Sequence, residues 1–438
     1  MKAPELLSPA GTLKNMRYAF AYGADAVYAG MPRYSLRVRN NDFNLEHLRI
    51  GINEAHQQGK QLFVAANVIP HNSKLTTFMK DMEEVVALKP DAFIMADPGL
   101  IMWVRERWPD LPVHLSVQAN TVNYAAVKFW QSMGVQRIIL SRELSLDEIE
   151  EIRQRCPEIE LEVFVHGALC IAYSGRCLLS GYFNHRDPNQ GACTNACRWK
   201  YKTFEAIEDE TGDLYKKSER HPEADKTYLI EEAGRPDQLM PIFEDELGTY
   251  IMNSKDLRAV EHVVRLAKIG IDSLKIEGRT KSHYYVTRTA QIYRKAIDDA
   301  VAGKPFDPSM LGALESLANR GYTDGFYKRH DTHEYQNYIQ GNSEYYSQKF
   351  VGEFIGFDED KDLAEVLVKN KVCVGDSLEV ILPSGNHTIA LESMEDFYGK
   401  PMQEAPGGGY KIRIPVPAKN VELGLLAKNL GHSTVKGF

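Results

Sequence analysis

The sequence predicts an α/β fold: a TIM-like (β/α)8 barrel carrying an inserted cysteine-containing excursion, followed by a small C-terminal β-barrel. Three observations carry this expectation. Between residues 5 and 278, eight short β-rich runs alternate with helical stretches, and repeated strand-then-helix units imply a parallel sheet with right-handed crossovers that eight repeats can close. The loop after the first run offers only Ala10, Gly11 and Thr12, not the G-x-G-x-x-G that a doubly wound dinucleotide fold would require. From about Val351 the texture turns all-β.

The eight runs are ELLSP (5–9), AVYAG (26–30), LFVAANV (62–68), FIMAD (93–97), VHLSV (113–117), RIILS (137–141), LEVFVH (161–166) and SLKIEG (273–278). Helix signals stand between them. Ser145 followed by Glu148 is a capping-box pattern, and Leu146, Ile149 and Ile152 recur at helical spacing. TYIMN (249–253) reads either as a ninth strand or as the entry to a helix near Ser254. Within a cluster-binding insertion near 170–250, a charged stretch from Arg198 to about Gly248 reads as an excursion from the barrel, with a hairpin around Thr211-Gly212-Asp213. A helix over about 281–302 follows, then a Tyr-, His- and Asn-rich linker from Gly321 to Tyr346, so the domains divide as 1–345 and 346–438. VGEFIGF, AEVLVK, SLEVIL, HTIAL, YKIRI and GLLAK are six short strands whose spacing suits a small closed barrel. Turn signals lie at Pro383-Ser384-Gly385 and Pro406 to Gly409, and Gly407–Gly409 reads as a hairpin turn because no Lys-Ser, Lys-Thr or helix follows it.

With 438 residues, 43% of them apolar, the chain can bury ordinary cores. A formal charge of −8 argues against nucleic-acid binding over the whole surface, so any RNA contact must be a local patch. Two runs interleave cations with aromatics: Arg33, Tyr34, Arg37 and Arg39, and the RWKYK run with Arg198 and Lys200. Such runs neutralise phosphates and stack on unpaired bases, though a solvated surface accounts for them equally. No window of about 18 apolar residues could span a bilayer, and MKAPELLSPAG lacks the features of a secretory signal. The expectation is a cytoplasmic protein without a membrane partner.

Four of the six cysteines, Cys170, Cys177, Cys193 and Cys197, cluster just after the LEVFVH strand. In a reducing compartment such a group more often ligates a metal or does chemistry than forms disulfides. Four convergent thiolates repel unless a cation neutralises them, which an iron–sulfur cluster or zinc would do. Zinc modules favour paired knuckles and only Cys193 and Cys197 qualify, so the spacing leans towards a cluster, with zinc and uncoordinated thiols left open. Cys156 and Cys373 read as core residues. Barrel sites form at the C-terminal ends of the strands, where polar residues follow the apolar runs: Ser8, Asn67, Asp97, Gln118, Asn120, Ser141, Arg142, Glu143, His166, Lys275, Glu277 and Arg279. Together they suit a small carboxylate-bearing molecule, although each alone could simply bond loop backbone.

Glu162-x-Phe164-x-x-Gly167-Ala168-Leu169-Cys170 and Gly175-x-Cys177-x-Leu179-Ser180 resemble the signature of the collagenase-like peptidase family. The likeness continues through ELLSPAG, GADAVYAG, HLSVQAN, SREL and SLKIEGR. It points to the bacterial branch with a C-terminal β-barrel, which implies oxygen-independent formation of 5-hydroxyuridine at the tRNA anticodon wobble position. The resemblance further implies prephenate as co-substrate and a [4Fe–4S] cluster on Cys170, Cys177, Cys193 and Cys197. On that reading the base is turned out of the anticodon arm into the barrel mouth. Arg142, Lys275 and Arg279 would hold carboxylates, with Gln118 and Asn120 beside them. His166 or Glu277 would do acid–base work, and Tyr34, Arg37, Arg39, Arg198 and Lys200 would meet the RNA. Two rivals stand beside it: a peptidase using Cys170 and His166, although H-E-x-x-H and G-x-S-x-G are absent from the sequence, and a non-catalytic RNA-binding scaffold with structural zinc.

Overall fold

The computed structural model describes residues 1–36, 42–170, 172–174, 176–177, 255–317, 319, 321–328 and 348–430, together with the backbone of five short strands between 206 and 250. The barrel is built from β1 (Glu5–Pro9), α1 (Leu13–Ala21), β2 (Ala26–Gly30), α2 (Leu45–Gln57), β3 (Gln61–Ala66), α3 (Asn72–Val86), β4 (Ala92–Met95), α4 (Pro98–Arg107), β5 (Val113–Leu115), α5 (Tyr124–Ser132), β6 (Arg137–Ile139), α6 (Leu146–Arg155) and β7 (Glu160–Ala168). Five excursion strands follow: β8 (Ala206–Glu208), β9 (Leu214–Lys216), β10 (Tyr228–Glu231), β11 (Leu239–Asp245) and β12 (Gly248–Tyr250). The chain then returns through β13 (Asp256–Arg258), α7 (Val263–Ile269), β14 (Ser273–Ile276), α8 (His283–Val301), α9 (Ser309–Glu315) and β15 (Tyr322–Thr323).

Strands β1 to β7 pair in parallel in sequence order, and β14 pairs in parallel with both β7 and β1, closing a barrel of eight. These are the eight runs the alternation picks out. Three of them start alike: Asp25, Asp91 and Asp272 precede β2, β4 and β14, and each accepts the first orphan amide of a neighbouring strand, from Leu6, Leu62 and Leu161 (2.8, 2.8 and 3.0 Å). At the helix starts, Ser145 and Glu148 form the expected capping box of α6, and Asp97 caps α4 by accepting from Leu100 N.

The barrel interior holds charge. Lys275 Nζ lies 2.7 Å from Glu162, and Arg137 bridges Glu162 (3.3 Å) and Glu5 (2.7 Å). Phe63, His114, Tyr28 and Phe164 pack around them. Burial pushes the Glu5 carboxyl up and the Lys275 amine down, and it keeps His114 neutral. Two acids face two bases, so the buried charges balance.

Several expectations change. Thr249 and Tyr250 of TYIMN do not join the barrel: they lie in β12, which pairs with β11 in a separate antiparallel sheet, and the rest of the run lies outside the described residues. Nor does a helix start near 254, because Asp256–Arg258 is a strand and α7 begins at Val263. The supposed linker begins as part of the barrel, since β15 pairs with β13 and Tyr327 is buried. In the excursion, β8 and β9 form an antiparallel pair flanking 209–213, in keeping with the expected hairpin.

The C-terminal domain is one antiparallel sheet ordered β19-β18-β23-β16-β17-β22-β20-β21, from β16 (Gln348–Asp358), β17 (Leu363–Cys373), β18 (Ser377–Leu382), β19 (Gly385–Ala390), β20 (Met394–Asp396), β21 (Pro401–Met402), β22 (Glu404–Ile414) and β23 (Leu425–Asn429). Two very short strands raise the six expected to eight. Gly407–Gly409 is not a hairpin turn: it lies inside β22, where all three φ values are positive and the register against β17 slips by one residue, making a bulge. The domain docks on α1 and α8. Ile381, Leu425 and Ala427 enter the barrel's apolar core, Arg288 meets Glu379 at 3.1 Å, and Tyr22 Oη lies 2.9 Å from Ile381 O. Among the described residues no helix is long and apolar enough to cross a membrane.

Candidate active site

The mouth at the C-terminal ends of the strands is tied into a ring. Leu36 N donates to Asn67 Oδ1 (3.2 Å) after β3, and Asn67 Nδ2 donates to Ser116 Oγ (3.3 Å) after β5. Four residues on, Asn120 Nδ2 donates to Ser174 O (2.7 Å) beyond β7. Glu277 N donates to His166 O (2.9 Å), joining β7 to the end of β14. Arg279 then closes the circuit by donating to Ser35 Oγ and Leu36 O. Hydrogen bonds thus run from loop to loop around the opening, which preorganises whatever the loops present.

The ends of β7 and β14 are the irregular part. Lys275 pairs with Phe164 but Ile276 pairs with His166, so Val165 is an extra residue in a bulge. Carbonyls freed from the ladder need donors, and four tyrosines supply them: Tyr327 Oη to Phe164 O (2.5 Å), Tyr293 Oη to Val165 O (2.6 Å), Tyr28 Oη to Ile276 O (3.0 Å) and Tyr285 Oη to Glu277 O (2.8 Å). Burial raises the pKa of each, so they stay protonated donors. Gly167 completes the junction. Its φ is +105°, and a Cβ there would stand 2.5 Å from Glu277 O.

The bulge also re-aims His166. Its ring lies among Tyr285, Tyr293 and Tyr322, with Nδ1 3.3 Å from Tyr293 Oη and Nε2 3.5 Å from Tyr322 Oη, at 1% exposure. Burial lowers its pKa to about 3. A histidine boxed in by hydroxyls and held neutral is not a mouth-facing acid–base group, which corrects that expectation. Lys275 is likewise corrected as a carboxylate holder, because Glu162 already neutralises it inside the barrel. Arg279, 7% exposed, fastens the loop after β2. Tyr34 is fully buried, with its hydroxyl on Thr77 and Asp81, and Arg33 pairs with Asp81 at 2.8 Å, so Tyr34 is no stacking platform for RNA. Asn120 bonds protein backbone, and Gln118 is buried in the 3-10 turn after β5.

Arg142, Glu277 and Tyr28 do come together. The Arg142 guanidinium sits 3.8 Å from the Phe164 ring centroid and donates to Ala168 O (3.3 Å). Glu277, Arg279 and Arg142 all act electrostatically on the Tyr28 hydroxyl. Cys170 lies two residues past the end of β7 and is exposed, Cys177 is half-buried, and neither is in a disulfide. Cys193, Cys197, Arg37, Arg39, Arg198 and Lys200 lie outside the described residues. Cys156 is buried, as expected, with its thiol 3.6 Å from Tyr124 O, and Cys373 is half-buried.

The sequence reading missed the tyrosines. One signal was available, since Tyr285 and Tyr293 are eight residues apart on one face of α8. A polar cavity of about 510 Å³ opens on the opposite rim, over Phe63, His114 and Arg137. It is ringed by Asp25, Asp91 and Asp272, the aspartates that cap strand amides, and that role belongs to barrel stability.

A closed parallel barrel with cysteines, cations and a carboxylate at its C-terminal mouth defines the class as an enzyme-like (β/α)8 protein with an antiparallel β-domain. Residues 11–337 match Peptidase family U32 and residues 346–428 match the Peptidase family U32 C-terminal domain. The chain belongs to that family. It is 62% identical over 450 aligned residues to tRNA hydroxylation protein P of Escherichia coli (strain K12), covering 100% of this chain and 99% of the relative. It is 58% identical to tRNA hydroxylation protein P of Haemophilus influenzae (99% and 98% covered) and 25% identical to a collagenase of Porphyromonas gingivalis (95% of each).

Proposed function

We propose that this chain is an oxygen-independent tRNA hydroxylase that forms 5-hydroxyuridine at the anticodon wobble position. Prephenate is the co-substrate, and a [4Fe–4S] cluster is held by Cys170, Cys177, Cys193 and Cys197. The observation that carries the reading is end-to-end likeness, at 62% identity, to a protein named for tRNA hydroxylation. The mouth supports it. Cys170 and Cys177 are free cysteines at the end where barrel chemistry resides, and this donor type suits an iron–sulfur cluster, which supplies electron transfer or Lewis-acid chemistry when bound.

The chain's own residues have the remaining work. Arg142, its guanidinium 3.8 Å over the Phe164 ring, offers a planar fork of N–H donors to a carboxylate of prephenate. Glu277, half-buried on β14's end with its backbone fixed by Tyr285 and His166, is placed to hold or release a proton at the uracil. RNA recognition falls to Arg37, Arg39, Arg198 and Lys200. The peptidase reading is weakened by His166, whose nitrogens both face tyrosine hydroxyls and leave it no part as a base for Cys170.

The test is nucleoside mass spectrometry of bulk tRNA from cells lacking this protein and its paralogues, complemented with wild type or Cys170→Ala. Loss of 5-oxygenated wobble uridines, restored by wild type alone, is expected. Undiminished levels in the deletion strain would overturn the assignment.

A further inference from the structure

We infer that Asn120 is a positioning residue, a latch that fixes the segment bearing Cys170 and Cys177 across the barrel mouth. The inference rests on the functional reading above for its purpose but not for its test. Asn120 follows β5 with φ 51° and ψ 51°, a left-handed conformation that asparagine tolerates better than most residues. Its amide is used at both ends. Nδ2 donates to Ser174 O (2.7 Å) and to Val117 O of its own turn (3.1 Å), and Oδ1 accepts from Arg176 Nε (3.1 Å).

Those contacts span 54 and 56 residues of sequence, and they grip the stretch between the two cysteines. Residues 172–174 and 176–177 form neither helix nor strand, Cys170 and Tyr173 are exposed, and the local backbone contact is a turn from Arg176 N to Tyr173 O (3.0 Å). A segment so short of internal structure takes its position from outside. Ser174, 8% exposed, is the point at which it is pinned. Thiols that must meet a common ligand need a fixed approach, and Asn120 transmits the rigidity of the barrel to them.

The decisive variant is Asn120→Gly, which accepts the left-handed backbone and deletes the latch together with the side-chain bond to Val117 O in its own turn. Asn120→Asp keeps the acceptor for Arg176 and removes the donor to Ser174. Hydrogen exchange of the full-length, chelator-treated protein should show amides in the 170–177 peptide exchanging about tenfold faster in Asn120→Gly, the change in opening expected for loss of roughly one net hydrogen bond. Asn120→Asp should fall between, and the β7 peptide 160–168 should be unaffected. On reconstitution with ferrous iron and sulfide, Asn120→Gly should retain less iron per chain than wild type. Unchanged exchange at 170–177, or equal acceleration of the β7 peptide, overturns the latch. If Cys170→Ala leaves tRNA hydroxylation intact while the exchange result holds, the functional reading fails and the latch stands.

Discussion

Replacing Lys275 by methionine isolates the cost of the charged barrel interior. Glu162 is fully buried and Lys275 nearly so, 2.7 Å apart, while Arg137 is already divided among Glu5, Glu160 and Glu162. Removing the lysine alone converts a balanced pair of acids and bases into a net negative charge away from water, a loss of about 3–5 kcal/mol when one partner of a buried pair is deleted. Adding Glu162→Gln neutralises the orphan and keeps an acceptor for Arg137, so the double variant should regain about 2–3 kcal/mol of that loss. Urea unfolding of wild type, both single variants and the double variant gives the coupling directly. Additive losses would falsify the reasoning. So would a Lys275→Met protein as stable as wild type with a raised KM for the proposed co-substrate prephenate, which would return Lys275 to that substrate.

His166 makes stability pH-dependent: folded it titrates near 3, unfolded near 6.5, so the unfolded chain binds the extra proton and stability falls as pH drops below about 6.5. Between pH 7 and 5, wild type should lose about 2 kcal/mol more than His166→Gln in paired denaturation curves, and parallel curves would refute the assignment. Tyr293→Phe removes one of two donors to Val165 O, leaving Ala259 N at 2.8 Å, and should cost about 0.5–1.5 kcal/mol by the same assay, whereas an indifferent variant would mean the bulge needs no such support. Gly167→Ala should be worse still, because a methyl group cannot fit 2.5 Å from Glu277 O; soluble, wild-type-like protein would contradict the geometry. Arg142→Lys keeps charge but loses the guanidinium over Phe164, so KM for the proposed co-substrate prephenate should rise about tenfold with little change in kcat. A fall in kcat alone would assign Arg142 a different role.

The barrel was legible because each strand is a compact apolar run and each helix start has its own chemistry, as at Ser145 and Glu148. The location of Cys170 at the mouth was legible for the same reason, since a strand's end can be read from its pattern. What was hidden was register and partnership. An alternation count sends His166 inward, and only the extra residue at Val165 turns it to α8. Lys275 looks available until Glu162, more than a hundred positions away, is brought against it. Tyr34 looks like a base-stacking ring until α3 covers it with Phe78 and Asp81. The triglycine shows the same limit, since glycine announces positive φ but not whether a turn or a bulge uses it.

The antiparallel pairing of β13 with β7 has a consequence for how this family can diversify. Asp256 lies opposite Ala168, Leu257 opposite Gly167 and Arg258 opposite His166, so the chain departs and comes home through adjoining, hydrogen-bonded doorposts. What is threaded between them is anchored to the cylinder at both of its ends. Lengthening or shortening that appendage leaves the pairing of the eight staves unchanged.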